Sequence, residues 1–267
     1  MNTGSLSLES VSDIQSWIGI SLQIAPFQGL FTPFHESCSP DEGSYSVHVQ
    51  SISDSMAIGE FMQLREKPLL YELKQEHTHI LSRLTQVMRA KDALLYRHSL
   101  RVQFLALTLT SGLHLPEDEG LTIVLAAFLH DIGKIRINNT ILFKASRLTR
   151  QEYEVVKAHT AYGAEMLSQF KMLKDVVPPV YHHHERWDGR GYPDGIRGDA
   201  IPLGARIVAI ADTFEAMTSR RNYQNRRTPI QAIEELYKHA GTQFDARLVR
   251  LFSQSLETAL KDPTCAR

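Results

Sequence analysis

An aspartate that ends an apolar helical run constrains this chain more than any other feature. The run is "LAAFLHD", residues 125–131, and it closes on His130 and Asp131. A second acid, Asp212, sits inside "IVAIADTFEAM". An ionised carboxylate cannot be buried in such a stretch without a compensating partner. Whatever fold the chain adopts must bring cations or strong donors to both places. Histidines are the available candidates. His98 lies in "LLYRHSLRVQF", His159 in "VVKAHTAYG", and His183 and His184 in the run "YHHHERWDGRGYPDG". One buried histidine is ordinarily a satisfied core residue, and a histidine triplet alone is as often a solvated surface run. Five histidines and two aspartates, expected on five helices, are harder to dismiss. Imidazole with carboxylate suits iron, manganese, zinc or nickel, and implies no thiolate site. Seven ligands exceed what one first-row ion takes while leaving room for water and substrate. They suit two ions that share an aspartate.

The apolar spacing fixes the fold class. From residue 65 onward, apolar residues such as Leu70, Leu73, Leu81, Leu84 and Val87 recur three or four apart, which predicts helices. Thr149 with Glu152 forms a capping-box pattern, and Thr228-Pro229 another helix start. Pro178 and Pro179 interrupt the pattern ahead of the triplet. Strand-like alternation is scarce. A mostly α helical bundle is expected over residues 65–267. Residues 1–64 differ in composition. They hold seven acids and no lysine or arginine, whereas residues 65–267 hold 29 basic and 23 acidic residues. This first segment reads as a small acidic unit of partly β or α/β character, or as a loosely ordered arm. It is a candidate regulatory or protein-docking segment.

Charge and cysteines exclude other classes. A net charge of −1 gives no bulk attraction to DNA or to an anionic membrane. Cys38 and Cys265 stand outside any CxxC spacing, which argues against a zinc ribbon or a disulfide scaffold. No apolar run is long enough to span a bilayer, and the N-terminus has no basic leader, so a cytoplasmic protein is expected. The oligomeric state is not readable.

"HDIGK" (130–134), His159 and "HHERWDGRGYP" (183–193) resemble the HD-GYP subgroup of the HD phosphohydrolase superfamily. The resemblance runs from about Lys91 to Phe252. It implies an HD-domain helical bundle and a cyclic di-GMP phosphodiesterase that yields pGpG, and further GMP, through a metal-activated hydroxide. Carried over by residue, it implies one metal on His98, His130, Asp131 and Asp212, and a second on Asp131, His159, His183 and His184. Iron or manganese is expected, with zinc, nickel or cobalt as alternatives. Members with a third metal carry a glutamate where this chain has Leu94. The resemblance further implies that Lys134 contacts the scissile phosphate and that Arg221 and Tyr192 contact substrate. Glu185 and Asp188 read as residues that brace the ligands and the loop. His182 falls outside the motif and reads as a surface or supporting histidine.

Two basic blocks are consistent with a dianionic substrate or with a solvated face. One comprises Lys134, Arg136, Lys144, Arg147 and Arg150, the other Arg220, Arg221, Arg226 and Arg227. The chain departs from the family pattern at "INNTIL", "KAS", "TSRRNYQN" and "FDA", where Asn138, Asn222 and Ala246 replace prolines and Gln224 a basic residue. These departures leave open a mixed cyclic GMP–AMP or linear pGpG as substrate. Two further readings stand beside the enzyme: a catalytically weak cyclic-dinucleotide receptor or interaction module, and an HD hydrolase for another phosphate ester.

Overall fold

The computed structural model describes residues 75–219 and 227–261. The acidic segment 1–64, its boundary near residue 65, and Arg221, Asn222 and Gln224 lie outside the described residues. The described residues form helices joined by turns and loops. Their only β feature is one isolated bridge between Ala240 and Phe244.

Local chemistry sets most helix ends. Helix α1 (Gln75–Lys91) passes directly into α2 (Ala93–Ser111). Asp92 separates them because its side chain accepts the Leu94 N–H at 2.8 Å and caps α2. Helix α3 (Glu117–Leu129) opens with Glu117, Asp118 and Glu119, acids that suit the positive end of a helix. A 3₁₀ turn (Ile132–Arg136) follows, then α4 (Asn139–Leu142). Asn138 caps α4 by accepting the Thr140 N–H, a role the proline usual at this position could not fill. The capping box expected at Thr149/Glu152 starts α5 (Arg150–Lys157), and the Thr228-Pro229 start expected for α9 (Pro229–Lys238) is itself a capping box, closed by Gln231. Between them lie α6 (His159–Ser168), α7 (Val177–His182) and α8 (Leu203–Thr218), and α10 (Ala246–Lys261) closes the described chain. Pro178 and Pro179 begin α7 instead of breaking a helix. In a first turn the missing N–H costs nothing, because those donors have no helical partner in any case.

Two apolar clusters hold the bundle. Leu105, Leu109, Phe214, Phe244 and Phe252 belong to one, and Leu81, Met88, Phe128, Leu129 and Leu167 to the other. Helices α2 and α3 feed both clusters, with Val102 and Ala127 in the first and Leu100 and Leu129 in the second. The two central helices are therefore fixed from both sides, and they carry His98 and the approach to His130. Gly133 sets a further closeness. A Cβ there would lie 1.9 Å from the His159 carbonyl oxygen, so only glycine lets the 3₁₀ turn rest on the start of α6.

Candidate metal centre

The sequence placed the ligand candidates on helices; the structure places four of them just past helix ends. His98 is on α2 and Asp212 on α8, and His159 is the first residue of α6. His130 and Asp131 follow the last residue of α3, and His183 and His184 follow α7. The reason is geometric. Adjacent residues on a helix point about 100° apart and do not face one site. At a turn they can, and the His183 and His184 rings lie 4.1 Å apart.

The orientation of each ring is set by its other nitrogen. Nδ1 of His130, His159 and His183 each lies 2.7 Å from a carbonyl three residues earlier, those of Ala127, Val156 and Val180. A carbonyl can only accept, so each Nδ1 carries the proton and each Nε2 presents a lone pair. These lone pairs converge. His98 and His130 have Nε2 atoms 3.3 Å apart, and so do His159 and His183. Asp131 stands between the pairs. Its Oδ2 is 3.4 Å from His130 Nε2 and 3.6 Å from His98 Nε2, while its Oδ1 is 3.4 Å from His159 Nε2. Asp212 Oδ1 completes one side, 3.2 Å from His98 Nε2.

Three groups of candidate ligands result: His98 with His130 and Asp212; His159 with His183 and His184; and His130 with Asp131 and His183. Asp131 Oδ1 is buried and has no hydrogen-bond partner in the protein. Buried lone pairs facing one another, with an orphaned carboxylate oxygen among them, form a set of donors that fits divalent cations.

The electrostatics of His159, His183 and His184 agree. Burial pushes His159 down to about 3 and His184 to about 4, and drives His183 well below its ordinary value. All three are held as the neutral imidazole, which is the ligating form. Burial also opposes charge on His98, but Asp212 and Glu215 outweigh it and raise His98 to about 9. Burial would raise Asp131, yet Lys134 and His130 hold it well below the usual carboxylate range. Asp212 is likewise held low, chiefly by His98 against the effect of burial.

The remaining predicted residues surround this core. Lys134 places Nζ 2.5 Å from Asp131 Oδ2 and is about a quarter exposed. Tyr192 stacks on the His184 ring with centroids 4.8 Å apart, and its N–H donates to the His184 carbonyl. Glu185 accepts the N–H groups of Asp194 and Gly195 at 2.7 and 2.9 Å. Asp188 accepts two bonds from Arg186 and one from the Arg190 N–H. Neither acid joins a ligand group. Gly191 lets the loop close, since a Cβ there would lie 2.4 Å from the Arg186 nitrogen. His182 lies beneath the loop, its Nδ1 3.8 Å from Glu185 Oε1 and its ring edge-on to Tyr181. Arg221 is outside the described residues. In the first basic block, Arg136 pairs with Glu165 and Lys144 with Glu152, so part of that block is occupied by intramolecular acids. Leu94 is 68% exposed.

Sequence reasoning missed Glu215. This carboxylate is fully buried on α8. Its Oε2 accepts from His98 Nδ1 at 2.6 Å, and its Oε1 from Arg101 at 2.5 Å and from Ser219 at 2.6 Å. The signal was present: Glu215 is an acid on the same apolar helix as Asp212, one turn later.

The family described as HD domain matches residues 82–248. The chain is 40% identical over 180 residues to the cyclic di-GMP phosphodiesterase response regulator RpfG of Xanthomonas campestris pv. campestris, covering 67% of this chain and 48% of that protein. It is 36% identical over 185 residues to 3'3'-cGAMP-specific phosphodiesterase 2 of Vibrio cholerae, covering 68% and 35%. It is 37% identical over 185 residues to a cyclic di-GMP phosphodiesterase of Thermotoga maritima, covering 68% and 50%. The chain thus spans half or less of the length of these relatives. Its fold is similar to that of the cyclic GMP-AMP specific phosphodiesterase V-cGAP3 of V. cholerae, with TM-score 0.51 at 20% identity, covering 70% of this chain and 51% of that one. No helix among the described residues is long and apolar enough to cross a membrane. With its His-Asp pair, its convergent histidines and its "HHERWDGRGYP" loop, the chain belongs to the HD domain family, as a member of the HD-GYP type.

Proposed function

We propose that the chain is a phosphodiesterase that binds two divalent metal ions and hydrolyses cyclic di-GMP to pGpG, with GMP as a further product. The observation that carries this reading is Asp131, whose two oxygens face two separate histidine pairs. In it, His98, His130, Asp131 and Asp212 would hold one ion, and Asp131, His159, His183 and His184 the other. Iron or manganese suits this oxygen-and-imidazole donor set.

Divalent ions held there would supply positive charge, which lowers the pKa of water and offsets charge on phosphoryl oxygens. The protein supplies orientation. Carbonyls fix the imidazoles, and Glu185 and Asp188 brace the loop that carries Tyr192 against His184. Lys134 stands at the edge of Asp131, where its ammonium can meet the non-bridging oxygens of a scissile phosphate as charge grows. Arg221 and Tyr192 are assigned to the nucleotide side of the substrate.

The test is anaerobic purification, metal analysis, and chromatography of cyclic di-GMP incubated with Mn²⁺ or Fe²⁺. Two ions per chain and appearance of pGpG are expected. Two ions without product from any phosphate ester would favour a cyclic-dinucleotide receptor. A second substrate reading has specific support: a relative at 36% identity is named for 3'3'-cGAMP, and the chain departs from its family pattern at Asn222 and Gln224. Faster turnover of 3'3'-cGAMP than of cyclic di-GMP in the same assay would establish it.

A further inference from the structure

We propose that Glu215 is a positioning residue that makes the two halves of the metal centre unequal, by holding His98 for the ion in the His98–His130–Asp212 half. The inference rests on the metal-centre reading above. Glu215 follows Asp212 by one turn, so α8 offers one ligand directly and orients a second ligand on α2. Both of its oxygens are engaged. Oε2 takes the proton of His98 Nδ1 at 2.6 Å, and Oε1 is held by Arg101 and Ser219. Its side chain is 1% exposed, so these bonds are sheltered from water. A buried carboxylate is tolerated only when its lone pairs are satisfied and its charge is met, and Arg101 meets it here.

The other ring orientations differ in kind. His130, His159 and His183 each give Nδ1–H to a neutral carbonyl. An ionised acceptor forms the stronger bond and leaves the opposite nitrogen richer in electrons. Once an ion displaces its proton, His98 Nε2 would therefore be the strongest imidazole donor among the four. No carboxylate was found to play this part for His159 or His183 among the described residues. Loss of Glu215 should weaken one ion and spare the other.

A clasp that merely pins α2 to α8 would use the same bonds, so the test must separate shape from charge. Glu215→Gln keeps the shape and removes the charge. Arg101→Lys loosens the two-nitrogen clasp but keeps a cation on Glu215 and the carboxylate on His98. Mn²⁺ binding to the full chain is titrated by calorimetry and electron paramagnetic resonance. The wild type should bind two ions. Glu215→Gln should bind one of them about 10–100-fold more weakly and the other within about twofold. Arg101→Lys should keep both within about threefold. In a His184→Ala background, which cripples the other half, the Glu215→Gln loss should persist; in a His98→Ala background it should vanish.

Equal weakening of both ions, no weakening, or an equal loss in Arg101→Lys would each overturn the proposal. Should Glu215→Gln not fold, proton NMR of the unaltered chain decides. The His98 Nδ1 proton should resonate downfield of those on His130, His159 and His183, and coincidence with them would overturn it. These readouts use the metal alone. A chain that binds two ions but turns over no cyclic dinucleotide would therefore sink the functional reading without touching this one.

Discussion

The two halves of the candidate centre are built by different means. His98, His130 and Asp212 come from α2, the end of α3 and the middle of α8, helices packed together in the core, and a buried carboxylate backs one of them. His159, His183 and His184 come from the start of α6 and the turn after α7, with backbone carbonyls behind His159 and His183 and Tyr192 stacked on His184. The first half contains carboxylates and is framed by long helices. The second contains only imidazoles and is framed by turns and a loop. The difference teaches that Asp131, which faces both, and Gly133, which lets the 3₁₀ turn rest on the start of α6, are the joint between helix-borne and turn-borne donors.

Removing the joint should abolish the comparison. Asp131→Asn leaves a neutral side chain between the pairs, and we expect both ions to be lost and kcat to fall by about a thousandfold or more, several kcal/mol of transition-state stabilisation. Metal analysis and product chromatography on the same sample check this; retention of both ions would refute the bridge. A smaller effect should follow at the edge of the joint. Lys134→Met should lower kcat by about 10²–10³ while leaving two ions bound, because the substrate phosphate loses a cation whereas Asp131, which Lys134 also contacts, keeps His130 and His159 beside it. Loss of metal in that variant would assign Lys134 to the structure of Asp131 instead.

Gly133→Ala tests whether closeness of the halves matters. The added methyl would collide with the His159 carbonyl, and overpacking of this sort costs about 1–3 kcal/mol. A fall in Tm of roughly 2–10 °C is expected, with affinity lost first from the second half, whose His159 must move. Thermal melts with and without Mn²⁺ would read both quantities. The smallest effect belongs to a residue outside either half. Asn138→Ala removes a helix cap and should cost about 1 kcal/mol with metal content unchanged. A change in metal content there would show that α4 supports the centre.

Much of this molecule was legible without coordinates. Apolar spacing of three and four predicts the helices, and capping chemistry at Thr149 and Thr228 predicts where two of them start, because these signals are local. The burden of a carboxylate in an apolar helix drew attention to Asp131 and Asp212. The same reasoning reaches Glu215, but nothing local says which group it serves. Its partner His98 is 117 residues away. Likewise the first basic block reads as one patch along the chain, whereas Glu165 and Glu152 claim Arg136 and Lys144 in space.

The sequence by itself determined the helical class, the capping box at Thr149, the helix start at Thr228 and the chemical kinds of donor, since each depends on residues within a turn or two of one another. Only the tertiary structure decided that adjacent residues could share a site by leaving the helix, that Asp131 faces both histidine pairs, and that Glu215 stands behind one of them. Those outcomes depend on how α2, α3, α6, α7 and α8 pack, and packing is set by the fit of distant surfaces, which no local pattern encodes.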